Sequence, residues 1–192
     1  MTSDPAEDKA RARAALLQSR AERIAEPGED GRRPEALLAL SDGFEGGDAA
    51  TIAAYVSFGG EPSTLAALEA WRRRGARVLL PVVLPGHDME FRVYDGTLVP
   101  GRRGMACPPP SSPIADLVEA SVVVVPALAC DRAGRRLGRG AGYYDRVLPR
   151  ASDTALTVGL VHPEELWSSV PVEDHDQRVR AVLAGHALIR SA

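Results

Sequence analysis

Four consecutive valines, Val122, Val123, Val124 and Val125, run into Pro126. An unbroken β-branched apolar run of this length reads as a strand buried on both faces, which calls for a sheet covered on each side. Downstream, the turn cluster Asp131-Arg132-Ala133-Gly134 opens a loop in which Gly138, Gly140 and Gly142 alternate with Arg139 and Ala141. Arg135, Arg136 and Arg139 bring three guanidinium groups into that loop. Glycine admits positive φ and leaves no Cβ between peptide N–H groups and a ligand. Arginine supplies forked, permanently charged donors suited to phosphate oxygens. Residues 143–148, beginning Tyr143-Tyr144-Asp145, read as a short helix whose N-terminus faces the same space. Strand, glycine–arginine loop and helix N-terminus together make a site for a polyanion.

Two familiar phosphate sites are excluded by spacing. A Walker A loop ends in Gly-Lys-Ser/Thr, whereas Tyr143 follows Gly142 here. A dinucleotide fingerprint needs its glycines directly after the strand and at other intervals. The plainer alternative is a solvated surface loop, but three alternating glycines with three arginines fit that poorly.

Along the chain, residues 9–26 carry Leu16, Leu17 and Ile24 among Ala, Arg and Glu and read as an amphipathic helix. Pro27-Gly28-Glu29-Asp30-Gly31 breaks it; residues 34–40 form a second helix ending in the glycine-rich stretch 43–47. Residues 51–56 read as a buried strand. Pro62 suits a helix first turn, with Leu65, Ala67, Leu68 and Trp71 as the apolar face up to Gly75. Strand 77–84 follows, then a hairpin of 89–94 and 97–99 about Asp95-Gly96. The loop 101–113 leads to a short helix 114–120. After the valine strand come strand 154–160, a helical turn 163–167 and a last strand 179–183. This alternation predicts one α/β domain, residues 1–192, with a largely parallel sheet and helices on both faces. Such sheets bind ligands beyond the carboxyl ends of their strands, so residues 55–61 and 130–145 are expected to face one cleft.

Net charge of −3 argues against a nucleic-acid surface. No apolar run is long enough to span a membrane, and the first residues lack a signal peptide's apolar core, so a cytoplasmic protein is expected. Cys107 and Cys130 suggest neither a disulfide scaffold nor a metal cluster. Of 23 basic residues only Lys9 is lysine, with Arg13 on the same helical face.

The segment Arg135-Arg136-Leu137-Gly138-Arg139-Gly140-Ala141-Gly142-Tyr143-Tyr144-Asp145-Arg146 resembles the C-terminal signature of the 5-formyltetrahydrofolate cyclo-ligase (5,10-methenyltetrahydrofolate synthetase) family. The approach Val125-Pro126-Ala127-Leu128-Ala129-Cys130-Asp131 is similar to that family's Pro-Gly-Leu-Ala-Phe-Asp. Weaker likeness covers Lys9 and Arg13, Tyr55-Val56, Glu61-Pro62-Ser63-Thr64, Leu80-Pro81 and the late segment from Pro171 to His175-Asp176. The resemblance implies Mg²⁺- and ATP-dependent cyclisation of 5-formyltetrahydrofolate to 5,10-methenyltetrahydrofolate, with ADP and phosphate released. It places ATP against Lys9, Arg13, Arg136, Leu137, Gly138, Arg139, Gly140, Ala141, Gly142, Tyr143 and Tyr144, with Arg139 and Tyr144 catalytic. It gives Val56 and Glu61 to the pterin or formyl group and Asp145 to magnesium. The implied partners are small molecules, and the chain is expected to be a monomer or weak dimer.

Structural alternatives stand beside these roles. Asp145 could be a first-turn acid on the helix dipole, Glu61 a helix cap before Pro62, and one of the two tyrosines core packing. His87-Asp88 reads as a solvated turn; His175-Asp176 could ligate metal, but two residues make no site. His162 stands where the family often carries glutamine. Other departures are Arg180 in place of a magnesium-linked acid, Cys130 where an aromatic is usual, Ala141 where some members have lysine, and the tail Ala184-Gly185-His186. Two further readings remain: an ATP-dependent kinase or ligase on another small molecule, and a non-catalytic nucleotide- or folate-binding relative.

Overall fold

The computed structural model describes residues 5–25, 35–42, 50–173 and 175–191. The breaks expected at 27–31 and 43–47 lie outside them, as does Asp174. The helices are α1 (Pro5–Ala25), α2 (Glu35–Asp42), α3 (Leu65–Arg73) and α4 (Tyr143–Val147). The strands are β1 (Thr51–Ala53), β2 (Arg77–Val83), β3 (Met89–Val93), β4 (Val99–Pro100), β5 (Ala106–Cys107), β6 (Ile114–Ala115) and β7 (Val122–Pro126). After them come β8 (Ala129–Asp131), β9 (Arg136–Leu137), β10 (Leu156–Val161), β11 (Leu166–Trp167), β12 (Ala181–Ala184) and β13 (Ala187–Arg190).

The main sheet has the order β13-β12-β10-β7-β1-β2-β3-β6. Its five inner strands, β12 to β2, are parallel, and antiparallel β13 and β3–β6 close the two sides. The valine strand sits near the middle, as its two-sided apolar pattern demands. Alternate residues sort to opposite faces. Val122 and Val124 join Ile52, Val158 and Leu183 under α2 and α3, around the buried Trp71. Val123 and Val125 join Ala53, Val161 and Val182 on the other face, beside Val147 and Leu148.

Several local expectations are corrected. Asp95-Gly96 does not make a hairpin: β3 pairs with β2 and β6, while β4 pairs with β5. The Asp95 carboxylate instead accepts from Thr97 N–H (2.8 Å), a local turn that redirects the chain. Residues 114–120 are a short strand followed by one 3₁₀ turn, because an Asp116–Glu119 capping box closes that turn. Pro62 lies outside α3, whose N-cap is Thr64, and Leu65 is exposed. The segment after Gly134 is strand β9 hydrogen-bonded to β8, so the glycine loop opens only at Gly138. Leu166–Trp167 pairs with β8, and β13 folds back on β12 about Gly185.

The largest departure concerns α1. Leu17 and Ile24 are exposed, while Lys9, Leu16 and Arg20 are buried. These three and Arg13 recur at helical spacing, so the docked stripe is mainly cationic. Arg20 forms a two-pronged pair with Glu165 (2.8 and 2.7 Å) and donates to Ala127 O (2.7 Å); both side chains are 2 % exposed or less. Its charge is held despite burial, which works to lower its pKa, because the Glu165 hydrogen bonds raise it further. Removing one member of such a pair strands the other charge out of water. Arg20→Ala is therefore expected to cost about 3–5 kcal/mol in urea unfolding. Ile24→Ala on the exposed face should stay within about 0.5 kcal/mol.

Candidate functional site

Strand order locates the cleft before any side chain is considered. The chain leaves β1 toward β2 on one side and returns as β7 on the other, so the order reverses between β1 and β7. At and beyond those strand ends lie residues 55–61 and Pro126-Ala127, and both segments line a shared pair of adjoining cavities. The larger, about 730 Å³, is walled by Lys9, Arg13, Arg136 and residues 137–145. The smaller, about 160 Å³, is lined by Tyr55, Val56, Val82, Met89 and Cys107 among others. Phe58, Glu61, Met105, Pro126, Tyr143 and Tyr144 line both.

The glycine–arginine loop forms one side of the larger cavity. Gly140 (φ 96°) and Gly142 (φ 66°) occupy left-handed backbone that favours glycine; Gly138 does not. Asp131, buried at the base, accepts from Ala133, Arg135 and Val170 N–H groups and pins the β8–β9 turn. It also pairs with Arg135 Nε (2.6 Å), so Arg135 is turned back on the turn and does not line the cavity. That removes one of the three guanidinium groups expected there. Arg136 is buried and donates through Nη2 to Asp145 Oδ1 (2.5 Å), while its Nε has no hydrogen-bond partner among the described residues. The Leu137 side chain packs with Leu16, Leu128 and Val170, which leaves its main chain for any ligand.

Arg139 crosses to the β1 side. It pairs with Glu61 (Nε to Oε1, 3.3 Å), lies 4.5 Å from the centre of the Phe58 ring and reaches Phe58 O and Gly59 O. Glu61 also accepts from Phe58 N–H (3.1 Å), so it is not the cap of α3. Its side chain is 3 % exposed, and burial pushes its pKa up although Phe58 and Arg139 pull the other way. Tyr143 and Tyr144 both pack against the core while lining the cavities. The Tyr144 hydroxyl is buried without a hydrogen-bond partner, and burial raises its pKa strongly. Val56 lines only the smaller cavity.

On the far wall, α1 brings Arg13 Nε to Gly138 O (3.0 Å) and Lys9 Nζ between Glu173 (2.8 Å) and Asp176 (2.5 Å). Burial works to lower the Lys9 pKa, but those two carboxylates raise it overall. Glu173, His175 and Asp176 present ligand atoms within 4.8 Å of one another and line the cavity. Sequence reasoning had only the His175-Asp176 pair. The isolated lysine was the available signal, because a buried ammonium demands acids somewhere. Asp145 Oδ1 also accepts from Gln177 N–H (3.1 Å), which joins this segment to α4. The Arg180 side chain is exposed and lines neither cavity. His162 hydrogen-bonds Gly60 O (3.0 Å) below the cleft.

Comparison with known proteins bears on this geometry. A model of the 5-formyltetrahydrofolate cyclo-ligase family matches residues 5–185. The chain belongs to that family. It is 41 % identical over 184 residues to the 5-formyltetrahydrofolate cyclo-ligase of Mycolicibacterium smegmatis, covering 91 % of this chain and 92 % of that one. It is 34 % identical over 141 residues to the Escherichia coli K12 protein of the same name, covering 69 % and 76 %. Among solved structures, 5,10-methenyltetrahydrofolate synthetase from Aquifex aeolicus is similar with TM-score 0.76 at 24 % identity, over 95 % of this chain and 92 % of that one. The Mycoplasma pneumoniae synthetase gives TM-score 0.69 at 17 % identity, over 91 % and 97 %. At those identities the likeness establishes the fold, a mostly parallel α/β sheet. Among the described residues no helix is long and apolar enough to cross a membrane.

The raised Glu61 pKa has a measurable sign. Above its ordinary 4.5 the folded protein keeps the Glu61 proton better than the unfolded chain does. Stability therefore falls as pH rises from 4.5 through the raised folded value. Glu61→Gln should remove that fall. The wild-type minus variant unfolding free energy is expected to decline across this window and then level; a difference independent of pH contradicts the burial argument.

Proposed function

We propose that the chain converts 5-formyltetrahydrofolate to 5,10-methenyltetrahydrofolate, driven by ATP with Mg²⁺. The observation that carries this reading is the wall shared by two unlike cavities: a larger one lined by glycines with Arg13, Arg136 and Arg139, and a smaller, mostly apolar one, meeting at Phe58, Glu61, Tyr143 and Tyr144. A triphosphate in the first and a reduced pterin in the second would bring the γ-phosphoryl group to the formyl oxygen at that wall.

The chemistry requires such a meeting. A formamide oxygen is a poor leaving group and its carbon a poor electrophile. Transfer of the γ-phosphoryl group to that oxygen, with ADP released, corrects both. The N10 amine then attacks the formyl carbon and gives up its proton, and phosphate leaves with the former formyl oxygen. No protein nucleophile is needed; positioning and charge neutralisation carry the rate. Arg13, Arg136 and the main chain of residues 138–142 hold the triphosphate in this reading. Arg139, already at the wall, neutralises the phosphoryl group in transit, and Tyr144 orients it. Glu61 accepts hydrogen bonds from the donor edge of the pterin, and Val56 packs against its ring.

Magnesium fits one carboxylate better than the acidic trio. Lys9 already occupies the space between Glu173 and Asp176, so a second cation there would meet its ammonium. Among the described residues only Oδ1 of Asp145 is engaged, so Oδ2 would be the oxygen that holds a magnesium ion. Bound there, magnesium would neutralise phosphate charge. Arg180, exposed and outside both linings, gives no particular support to a binding-only relative.

The deciding assay mixes protein, Mg-ATP and 5-formyltetrahydrofolate and follows the methenyl chromophore with ADP. Both are expected in equal amounts; ADP without the chromophore would indicate another acceptor, and binding without turnover a non-catalytic relative. Arg139→Ala should raise the ATP requirement and lower turnover by about 100-fold, the usual consequence of losing one charge-stabilising donor. Glu61→Gln should act on the KM for the folate, and an effect confined to ATP contradicts its assignment.

A further inference from the structure

His162 acts on the cleft without lining it. It follows the carboxyl end of β10, and its side chain belongs to the wall of neither cavity. Its Nε2 stands 3.0 Å from Gly60 O, and a carbonyl oxygen can only accept, so that nitrogen carries a proton. Gly60 belongs to a turn closed twice: Glu61 N–H donates to Phe58 O (3.3 Å), and Phe58 N–H donates to Glu61 Oε2 (3.1 Å). The direction of the Glu61 carboxylate therefore depends on the turn staying shut. Behind Gly60 there is no slack, since a Cβ there would lie 2.8 Å from Arg20 O. Among the described residues, two side chains from outside the turn hold its carbonyls. Arg139 Nη2 donates to Phe58 O and Gly59 O, both at a long 3.4 Å, and His162 holds Gly60 O.

Nucleotide binding asks different things of these two anchors. Arg139 lines the larger cavity, and its long bonds to the turn are weaker than those a phosphate group would offer it. His162 stands outside that cavity, so a triphosphate there leaves its bond to Gly60 intact. We propose that His162 is a positioning residue: it keeps the Phe58–Glu61 turn, and with it the Glu61 carboxylate, in the folate-binding arrangement while the nucleotide engages Arg139. This rests on the cyclo-ligase reading. The anchor is itself secured, because the main-chain N–H of His162 donates to Glu165 Oε2 (3.0 Å) and ties it to the buried Arg20–Glu165 pair. Replacing the imidazole spares that main-chain bond, and the berth of Arg20 with it.

The test measures 5-formyltetrahydrofolate affinity by calorimetry, with and without a saturating non-hydrolysable Mg-ATP analogue, in wild type, His162→Ala and His162→Gln. Without nucleotide, His162→Ala should bind as wild type does, because Arg139 still holds the turn. With the analogue it should bind about fivefold more weakly than wild type, the scale of one lost hydrogen bond. In turnover the same factor should appear in the KM for the folate, while kcat, the KM for ATP and Tm stay near wild type. His162→Gln keeps a side-chain N–H able to donate to Gly60 O and should restore the wild-type values. In an Arg139→Ala background the same loss should appear without any nucleotide, a non-additivity expected of two side chains that hold one turn. A loss of equal size with and without the analogue overturns the proposal, as does failure of glutamine to restore affinity. Wild type that forms no methenyl product sinks the cyclo-ligase reading and this role together. Wild-type turnover with indifferent His162 variants sinks this role alone.

Discussion

The attachment of α1 through charge governs the cleft. A helix ordinarily docks by an apolar stripe, whose burial stabilises in proportion to area. Here Leu16 is the one large apolar side chain buried on the described face, and Lys9 and Arg20 do the rest. Taking ammonium and guanidinium groups out of water is costly unless the carboxylates meet them with good geometry. Glu165 does so for Arg20 with two hydrogen bonds, and Glu173 and Asp176 do so for Lys9. These pairs fix the register of α1, which sets where Arg13 and Lys9 stand in the cavity. The same Glu165 accepts from His162 N–H, and His162 contacts Gly60 O, so one buried carboxylate joins α1 to the loop carrying Glu61.

Arg139 plays a comparable part across the cleft. Its position on Phe58 and Glu61 joins the glycine loop to the β1 loop, the two segments that strand order brings together. A phosphate drawing Arg139 away would leave Glu61 with less compensation for its burial, and Glu61 would hold a proton more readily. An anion in the larger cavity would thus alter the charge of a group that also lines the smaller one.

Legibility in the sequence followed the range of the interactions. Strand β7 and the Arg–Gly segment after it could be read because four valines and three alternating glycines each act locally. The convergence of residues 55–61 with 130–145 could be read because parallel sheets place loops at one edge. The face of α1 could not: its periodicity is helical, but its buried members are charged and their acids lie 145 to 167 residues away. Local propensity also misled at Asp95-Gly96, where β2 offers β3 a five-residue register that no neighbouring segment matches. Strand β13 was missed because most of its residues are exposed and carry no apolar alternation.

The separation of those charge partners has a consequence for biosynthesis. Helix α1 has no berth until its acids, 145 to 167 residues later in the chain, have followed it out of the ribosome. Until then its cations stay in water, and the cleft lacks a wall. Nascent protein should thus pair β1, β2, β3 and β7, all made before those acids, ahead of docking α1 and completing the cleft.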